Sequence, residues 1–349
     1  MAMKKSLAFL LLILVLNSCK TNPTSEITPA KETANKTDFT IAFGSCNNQV
    51  LENHLWDDIE NQNPTVWIWG GDVIYSDTED MKFLEKNFNK QKNDSVYNSF
   101  SNKIEILGTW DDHDYGINDG GVEYSKKDSA QQLFLNFLDV PLNDARRKQK
   151  GLYYSKNYNL DEGSVKIIVL DTRYFRSALT EDTETKKRYK PNNNNEGTML
   201  GEEQWQWLKN ELVNSKATFN IIVSSIQFLA SEHGFETWGN MPHEVEKLEN
   251  ILKLSKESKT IILSGDRHIS EFSSKNVEGL SYPLIDFTSS GLTHSYTNFK
   301  SEPNKFRVGN VVSDKSFGLL KFNFSKKEVQ LEMRGDNYTL FESYTQIYN

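Results

Sequence analysis

The sequence predicts a layered α/β fold, and three observations support it. First, short apolar runs end repeatedly in chemically active residues. Residues 40–43 run into Gly44-Ser45-Cys46, 66–69 into Gly70-Gly71-Asp72, and 104–110 into Asp111-Asp112-His113-Asp114. Residues 165–170 run into Asp171-Thr172-Arg173, Phe219–Val223 into Ser224-Ser225, and 261–263 into Gly265-Asp266-Arg267-His268. Continuous runs of this kind read as strands covered on both faces. Second, helical periodicity lies between several of them, at 129–138, at Gly201–Val213 with Trp205, Leu208 and Leu212 in step, and at 245–254. Third, 317–324 turns through Ser325-Lys326-Lys327 into 329–333 like an antiparallel hairpin, and 341–347 adds a strand. The asparagines at 192–195 beside Pro191 predict a loop. Ligands in layered α/β proteins sit at the carboxyl ends of strands, so the six reactive strand ends are expected to converge on one site.

Composition narrows the function. The chain has 349 residues, 37 % apolar and 25 % charged, which is enough to bury a real core. Lys and Arg number 40 against 48 Asp and Glu, a net charge of −8. The first 18 residues hold only Lys4 and Lys5, so a chain without them carries 38 against 48, or −10. That balance repels a phosphate backbone at long range and argues against a nucleic-acid coating protein. Two cysteines, Cys19 and Cys46, do not make a disulfide scaffold.

Residues 1–18 read as an export signal: a positive start, an apolar stretch from Leu7 to Leu16, then Asn17 and Ser18 before Cys19. Leu16-Asn17-Ser18-Cys19 resembles a bacterial lipobox, which makes Cys19 the lipidated residue. Residues 19–37, rich in Thr and Lys with Pro23 and Pro29, read as a tether, and 38–349 as a single folded domain. The expected location is therefore the periplasm or outer membrane surface, with membrane contact only through the lipid, and a monomeric state. No other run is long and apolar enough to cross a bilayer.

The chemistry lies in three clusters. In Gly71-Asp72-Val73-Ile74-Tyr75 the carboxylate can bridge two cations, while a phenol binds only a strongly polarising ion. Trp110-Asp111-Asp112-His113-Asp114 packs three carboxylates around a histidine and asks for a cation. Gly265-Asp266-Arg267-His268 offers oxygen and nitrogen donors two residues apart. Together they predict a dinuclear metal site. Cys46 adds a thiol that is either a small buried hydrophobe or a ligand. Arg173 either clamps a phosphate or pairs with an aspartate.

The order FGSC, GDVIY, WDDHD, LDTRY, SSIQF, ETWGNMP, SGDRH resembles the PhoD-like alkaline phosphatase/phosphodiesterase family, within the calcineurin-like metallophosphoesterases and near the purple acid phosphatases. The resemblance implies a four-layer αββα sandwich with two metals between the sheets. It implies that Asp72 bridges, that Cys46, Tyr75 and His268 bind a ferric-type ion, and that Asp112 and Asp266 bind a second ion, suggested to be calcium. Zinc, manganese and magnesium stay open for either position. His113 matches the histidine that handles the leaving group and Arg173 a phosphate clamp. Asp111, Asn118 and Gln227 are supporting residues or extra ligands, Gln227 standing where wider relatives have a metal-binding histidine.

The expected reaction is hydrolysis of small phosphate esters, monoesters or diesters, by metal-activated hydroxide attacking phosphorus in line. The competing readings are a phospholipase D-like phosphodiesterase, a hydrolase using Cys46 as nucleophile, and a lipoprotein that binds its ligand without turnover.

Overall fold

An alternation inside the apolar runs decides the layers. The computed structural model describes residues 36–255 and 257–348, and Lys36–Asn349 is one compact unit. The signal segment, Cys19 and nearly all of the tether lie outside the described residues. Strands β1 (Phe39–Gly44), β2 (Val66–Gly70) and β3 (Glu105–Thr109) pair in parallel. Ile41, Phe43, Val66 and Ile68 turn to one face, Ala42, Trp67 and Trp69 to the other, and all are buried because each face has its own cover.

A second sheet follows from β4 (Tyr154–Asn159), β5 (Ser164–Val169), β8 (Phe219–Val223), β9 (Lys259–Ser264), β10 (Ser270–Lys275), β11 (Leu284–Ser289) and β12 (Arg307–Val312), in the order β12-β10-β11-β9-β8-β5-β4. Its centre, β5, β8, β9 and β11, is parallel. A short ribbon, β6 (Thr180–Glu181) with β7 (Tyr189–Lys190), stands apart from both large sheets. Strands β13 (Phe317–Asn323), β14 (Glu328–Arg334) and β15 (Leu340–Ile347) then return to the first sheet, which reads β15-β14-β13-β1-β2-β3.

The two sheets share one core. Ile41, Phe43, Leu320, Phe322 and Leu331 meet Val165, Ile167, Ile221, Val223, Ile261 and Leu263 there. The outer face of the first sheet is covered by α1 (Trp56–Asn61), α2 (Met81–Lys92), α3 (Ser95–Ser101) and α5 (Lys127–Phe137). That of the second is covered by α6 (Gly201–Val213) and α7 (Pro242–Leu252). The result is the αββα sandwich. A one-turn helix, α4 (Asp112–Tyr115), caps the end of β3.

Helices α2 and α3 had no counterpart in the periodicity, yet their starts are written in the chain. Asp80 accepts from the backbone N–H of Lys82 and Phe83, and Asp94 from those of Val96 and Tyr97. The asparagines at 193–195 form a single tight turn within the expected loop. Among the described residues no helix is long and apolar enough to cross a membrane.

Trp56 fastens the helical cover, with ring centroids 5.3 Å from Trp67, 5.5 Å from Trp69 and 5.0 Å from Tyr97 and Phe100. Trp56→Ala is expected to cost about 3–5 kcal/mol. Phe83→Ala, on the exposed side of α2, is expected to cost under about 0.5 kcal/mol. Urea denaturation of the two variants measures the difference.

Candidate metal centre

The parallel strands of both sheets deliver their carboxyl ends to one edge. Beyond β1 stands Cys46, beyond β2 Asp72 and Tyr75, beyond β3 Asp111 and Asp112, and beyond β9 Asp266 and His268. The turns that follow are strained. Cys46, Asp72, Asp266 and His268 hold φ of 58°, 49°, 69° and 54°, in the left-handed region that costs a non-glycine residue about 1–3 kcal/mol. Four such residues at four donor positions mark a site where position takes precedence over backbone comfort. Gly71, with φ of 94°, lets the turns after β2 and β3 close on each other, since a Cβ there would lie 2.5 Å from the Asp111 Cβ.

Asp72 is the meeting point. Its Oδ2 lies 3.3 Å from the Cys46 sulfur and 3.2 Å from the Tyr75 hydroxyl, and that hydroxyl is 3.0 Å from His268 Nε2. Donor atoms gather in three groups, each within 4.8 Å: Cys46, Asp72 and His268; Asp72, Asp112 and His113; Asp111, Asp112 and Asp266. Asp72 is common to the first two and Asp112 to the last two, so the groups form one continuous cluster.

The electrostatics of this cluster call for a cation. Burial pushes Asp72 well above the usual carboxylate range, reinforced by the neighbouring Cys46. Burial does the same to Asp266, reinforced by Asp111. Burial also lifts the Cys46 thiol to about 11 and the Tyr75 phenol well above its ordinary value. Two buried carboxylate oxygens, Asp72 Oδ1 and Asp111 Oδ2, have no hydrogen-bond partner. A buried acceptor without a donor costs about 1–3 kcal/mol, and a cation removes that cost. Thiol, phenol, carboxylate and imidazole on one side suit a strongly polarising ion, and the all-carboxylate group on the other suits a hard one.

Beside the cluster opens a cavity of about 370 Å³, lined in part by Asp112, His113, Asn118, Asp266 and His268. His113 stacks on Tyr75, centroids 4.1 Å apart, and its Nδ1 is 2.6 Å from Asp77 Oδ2. Burial opposes a charge on this ring, but Asp72 and the Asp77 bond prevail and carry its pKa to about 11.

Cys46, Asp72, Tyr75 and His268 thus meet, as do Asp111, Asp112 and Asp266, with His113 and Asn118 at the cavity. Two expectations need correction. Gln227 is buried on Glu271 Oε1 at 2.8 Å and Thr288 Oγ1 at 2.9 Å, where its amide braces the second sheet rather than a metal. Arg173 takes the second of its two readings, pairing with an aspartate: its side chain is fully buried on Asp111 and Glu236 and is not part of the cavity wall. Its Nε donates to Asp111 at 2.6 Å, and its Nη1 to Glu236 at 2.6 Å and to the Gly120 carbonyl at 3.3 Å. Glu236 in turn pairs with Arg176 at 2.8 Å, giving a buried ionic floor under Asp111.

Cys46 is fully buried; its sulfur donates to Asp72 Oδ2 at 3.3 Å, and among the described residues no histidine is hydrogen-bonded to it. Residues that sequence reasoning missed are Asp77, Glu236 and Ser290. Ser290 holds the Cys46 sulfur at 3.0 Å and accepts from His268 N at 2.8 Å. His294 was also missed; its ring lies 4.6 Å from that of His268. Asp114 was visible only as part of the acidic run; it accepts from Val73 N at 2.9 Å and Asp111 N at 2.5 Å, tying the turns together.

Arg173→Met leaves Asp111 and Glu236 buried with less compensation and is expected to cost about 3–5 kcal/mol in thermal or urea unfolding. A residue that merely clamped substrate would leave stability unchanged and raise KM.

A family model for PhoD-like phosphatases matches residues 41–315. A stretch of 118 residues, 32 % of this chain, is 30 % identical to alkaline phosphatase D of Bacillus subtilis (strain 168) and spans 20 % of that protein's length. A solved structure of PhoD superposes with a TM-score of 0.72 at 18 % identity, over 89 % of this chain and 70 % of that one. The fold is shared by GAP50, the anchor in the inner membrane complex of Plasmodium, at a TM-score of 0.59 and 14 % identity over 90 % of each chain. A dimetal phosphatase from Danio rerio gives 0.51 and 13 %, over 90 % of this chain and 100 % of its own. With most of the folded body matched by the family model, this chain belongs to the PhoD-like phosphatase family.

Proposed function

We propose that the protein is an exported metal-dependent hydrolase of small phosphate esters, holding a ferric-type ion on Cys46, Asp72, Tyr75 and His268 and a calcium ion on Asp111, Asp112 and Asp266. The observation that carries this reading is Asp72, one buried carboxylate shared by two donor groups and touching both a thiol and a phenol. The name of the Bacillus subtilis relative, alkaline phosphatase D, agrees with it.

When bound, the ions supply activation of water and neutralisation of charge on the phosphoryl oxygens. The protein supplies the rest. Asp77 takes the Nδ1–H of His113 and fixes the ring, so the imidazolium presents its Nε2–H to the cavity, where it donates a proton to the departing oxygen. Asp114 and the Arg173–Glu236 floor hold Asp111 in place, and the N–H groups of His113 and Asp119 hold Asp112. No protein nucleophile takes part. The proposal extends to the N-terminus: export, lipidation at Cys19, and a monomer that meets the membrane only through its lipid.

Incubation with a strong chelator is expected to abolish hydrolysis of aryl phosphate mono- and diesters; full activity in metal-free protein contradicts the proposal. Cys46→Ala is expected to lose iron by elemental analysis and the visible phenolate-to-iron absorption of Tyr75, not only turnover. His113→Gln is expected to lower kcat about 10²–10⁴-fold on alkyl esters and much less on aryl esters with acidic leaving groups. Equal losses on both would remove the histidine from the leaving-group role.

A further inference from the structure

We infer that Arg267, backed by Arg188, binds the non-bridging oxygens of the phosphate ester, a reading that rests on the hydrolase function proposed above. With Arg173 and Arg176 locked in the buried floor, the arginines that line the cavity beside the His113 ring are Arg188 and Arg267.

Arg267 is preset for an oxyanion. It stands in the chain between the donors Asp266 and His268. Its Nη2 is held by both oxygens of Glu302, at 2.8 and 3.0 Å, and its guanidinium lies 4.1 Å from the centroid of the Phe235 ring. Its Nε is buried with no hydrogen-bond partner, and among the described residues Nη1 makes no hydrogen bond. The guanidinium is thus held at one nitrogen by Glu302 and over one ring by Phe235, while Nη1 stays uncommitted. A guanidinium fixed in this way loses little conformational freedom when a phosphate arrives, and Nη1 can donate charge-assisted hydrogen bonds to its oxygens.

Charge points the same way. A guanidinium one residue from two cation-binding donors raises the energy of the cations they hold. Glu302 offsets part of that cost, and an incoming phosphate offsets more.

Arg188 is the looser second contact. Half exposed, it pairs through Nη2 with Asp119 at 2.6 Å. Its own N–H and that of Tyr189 both donate to the Gly234 carbonyl, at 3.0 and 2.9 Å, fastening the β6–β7 ribbon to the loop that carries Phe235. Asp119 N in turn donates to Asp112 Oδ2 at 2.7 Å, so the ribbon is linked to the metal cluster through one residue. A cavity of about 370 Å³ with arginine, phenylalanine and Tyr296 on its wall holds more than a phosphate group, leaving room for an ester arm.

The test uses the full chain loaded with metal and two readouts: the dissociation constant of inorganic phosphate by calorimetry, and KM and kcat on an aryl phosphate. Arg267→Met is expected to keep its metal content and raise both the phosphate constant and KM about 10–100-fold, as the loss of a charged hydrogen-bonded pair demands. Arg188→Met is expected to raise them less. Should Arg267→Met fold poorly, Arg267→Lys keeps the charge but loses the guanidinium, and is expected to fall between wild type and the methionine variant. A folded, metal-replete Arg267 variant that binds phosphate like wild type overturns the inference while leaving the hydrolase standing. Wild type that neither binds phosphate nor hydrolyses esters overturns both.

Discussion

The buried crowding of acidic and soft donors around Asp72 is the constraint on which the rest of the structure depends. A thiol, a phenol and four carboxyl groups are gathered beside two histidines at one edge of the sandwich. In a medium of reduced dielectric these groups cannot all give up their protons together, and the upward shifts at Asp72, Asp266, Cys46 and Tyr75 express that conflict. Cations resolve it, and the unpartnered oxygens of Asp72 and Asp111 are available to them. Ser290, Asp114 and the Arg173–Glu236 floor hold these donors in position.

Holding such a cluster takes a rigid frame. Left-handed backbone at Cys46, Asp72, Asp266 and His268 is strain that a loop on its own would release. Each of those residues follows a strand whose side chains are packed on both faces, so the turn has nowhere to relax. The core between the sheets and the two helical covers are thus the support of the site as well as the source of stability. This division also explains how one sandwich can serve an anchor protein and a phosphatase: the layers set where strand ends meet, and the residues placed there set the chemistry.

The sequence made the strands legible where burial on both faces left a continuous apolar run, as at Phe219–Val223, and made the donor clusters legible because each sits just past such a run. It hid β10, whose Ser270–Lys275 is mostly polar and gains its burial from β11 and β12 on either side. Helices α2 and α3 were hidden among lysines and asparagines, although Asp80 and Asp94 stood at their starts. The sequence leaves Arg173 open between a phosphate clamp and an aspartate pair, and the fold decides for the pair. A guanidinium beside a strand end faces a cavity or a buried carboxylate with equal ease, and its partner Glu236 lies 63 residues away. Arg267 carries no signal of its own in the Gly265-Asp266-Arg267-His268 motif, because only the folded chain shows it lining the cavity against Glu302 and Phe235.

Anomalous diffraction from crystals of the protein tests the central claim most directly. Data collected on both sides of the iron absorption edge should show a strong peak among Cys46, Asp72, Tyr75 and His268, and a second, weaker scatterer beside Asp111, Asp112 and Asp266. A map with no metal at either position, in protein that still hydrolyses phosphate esters, would contradict the account.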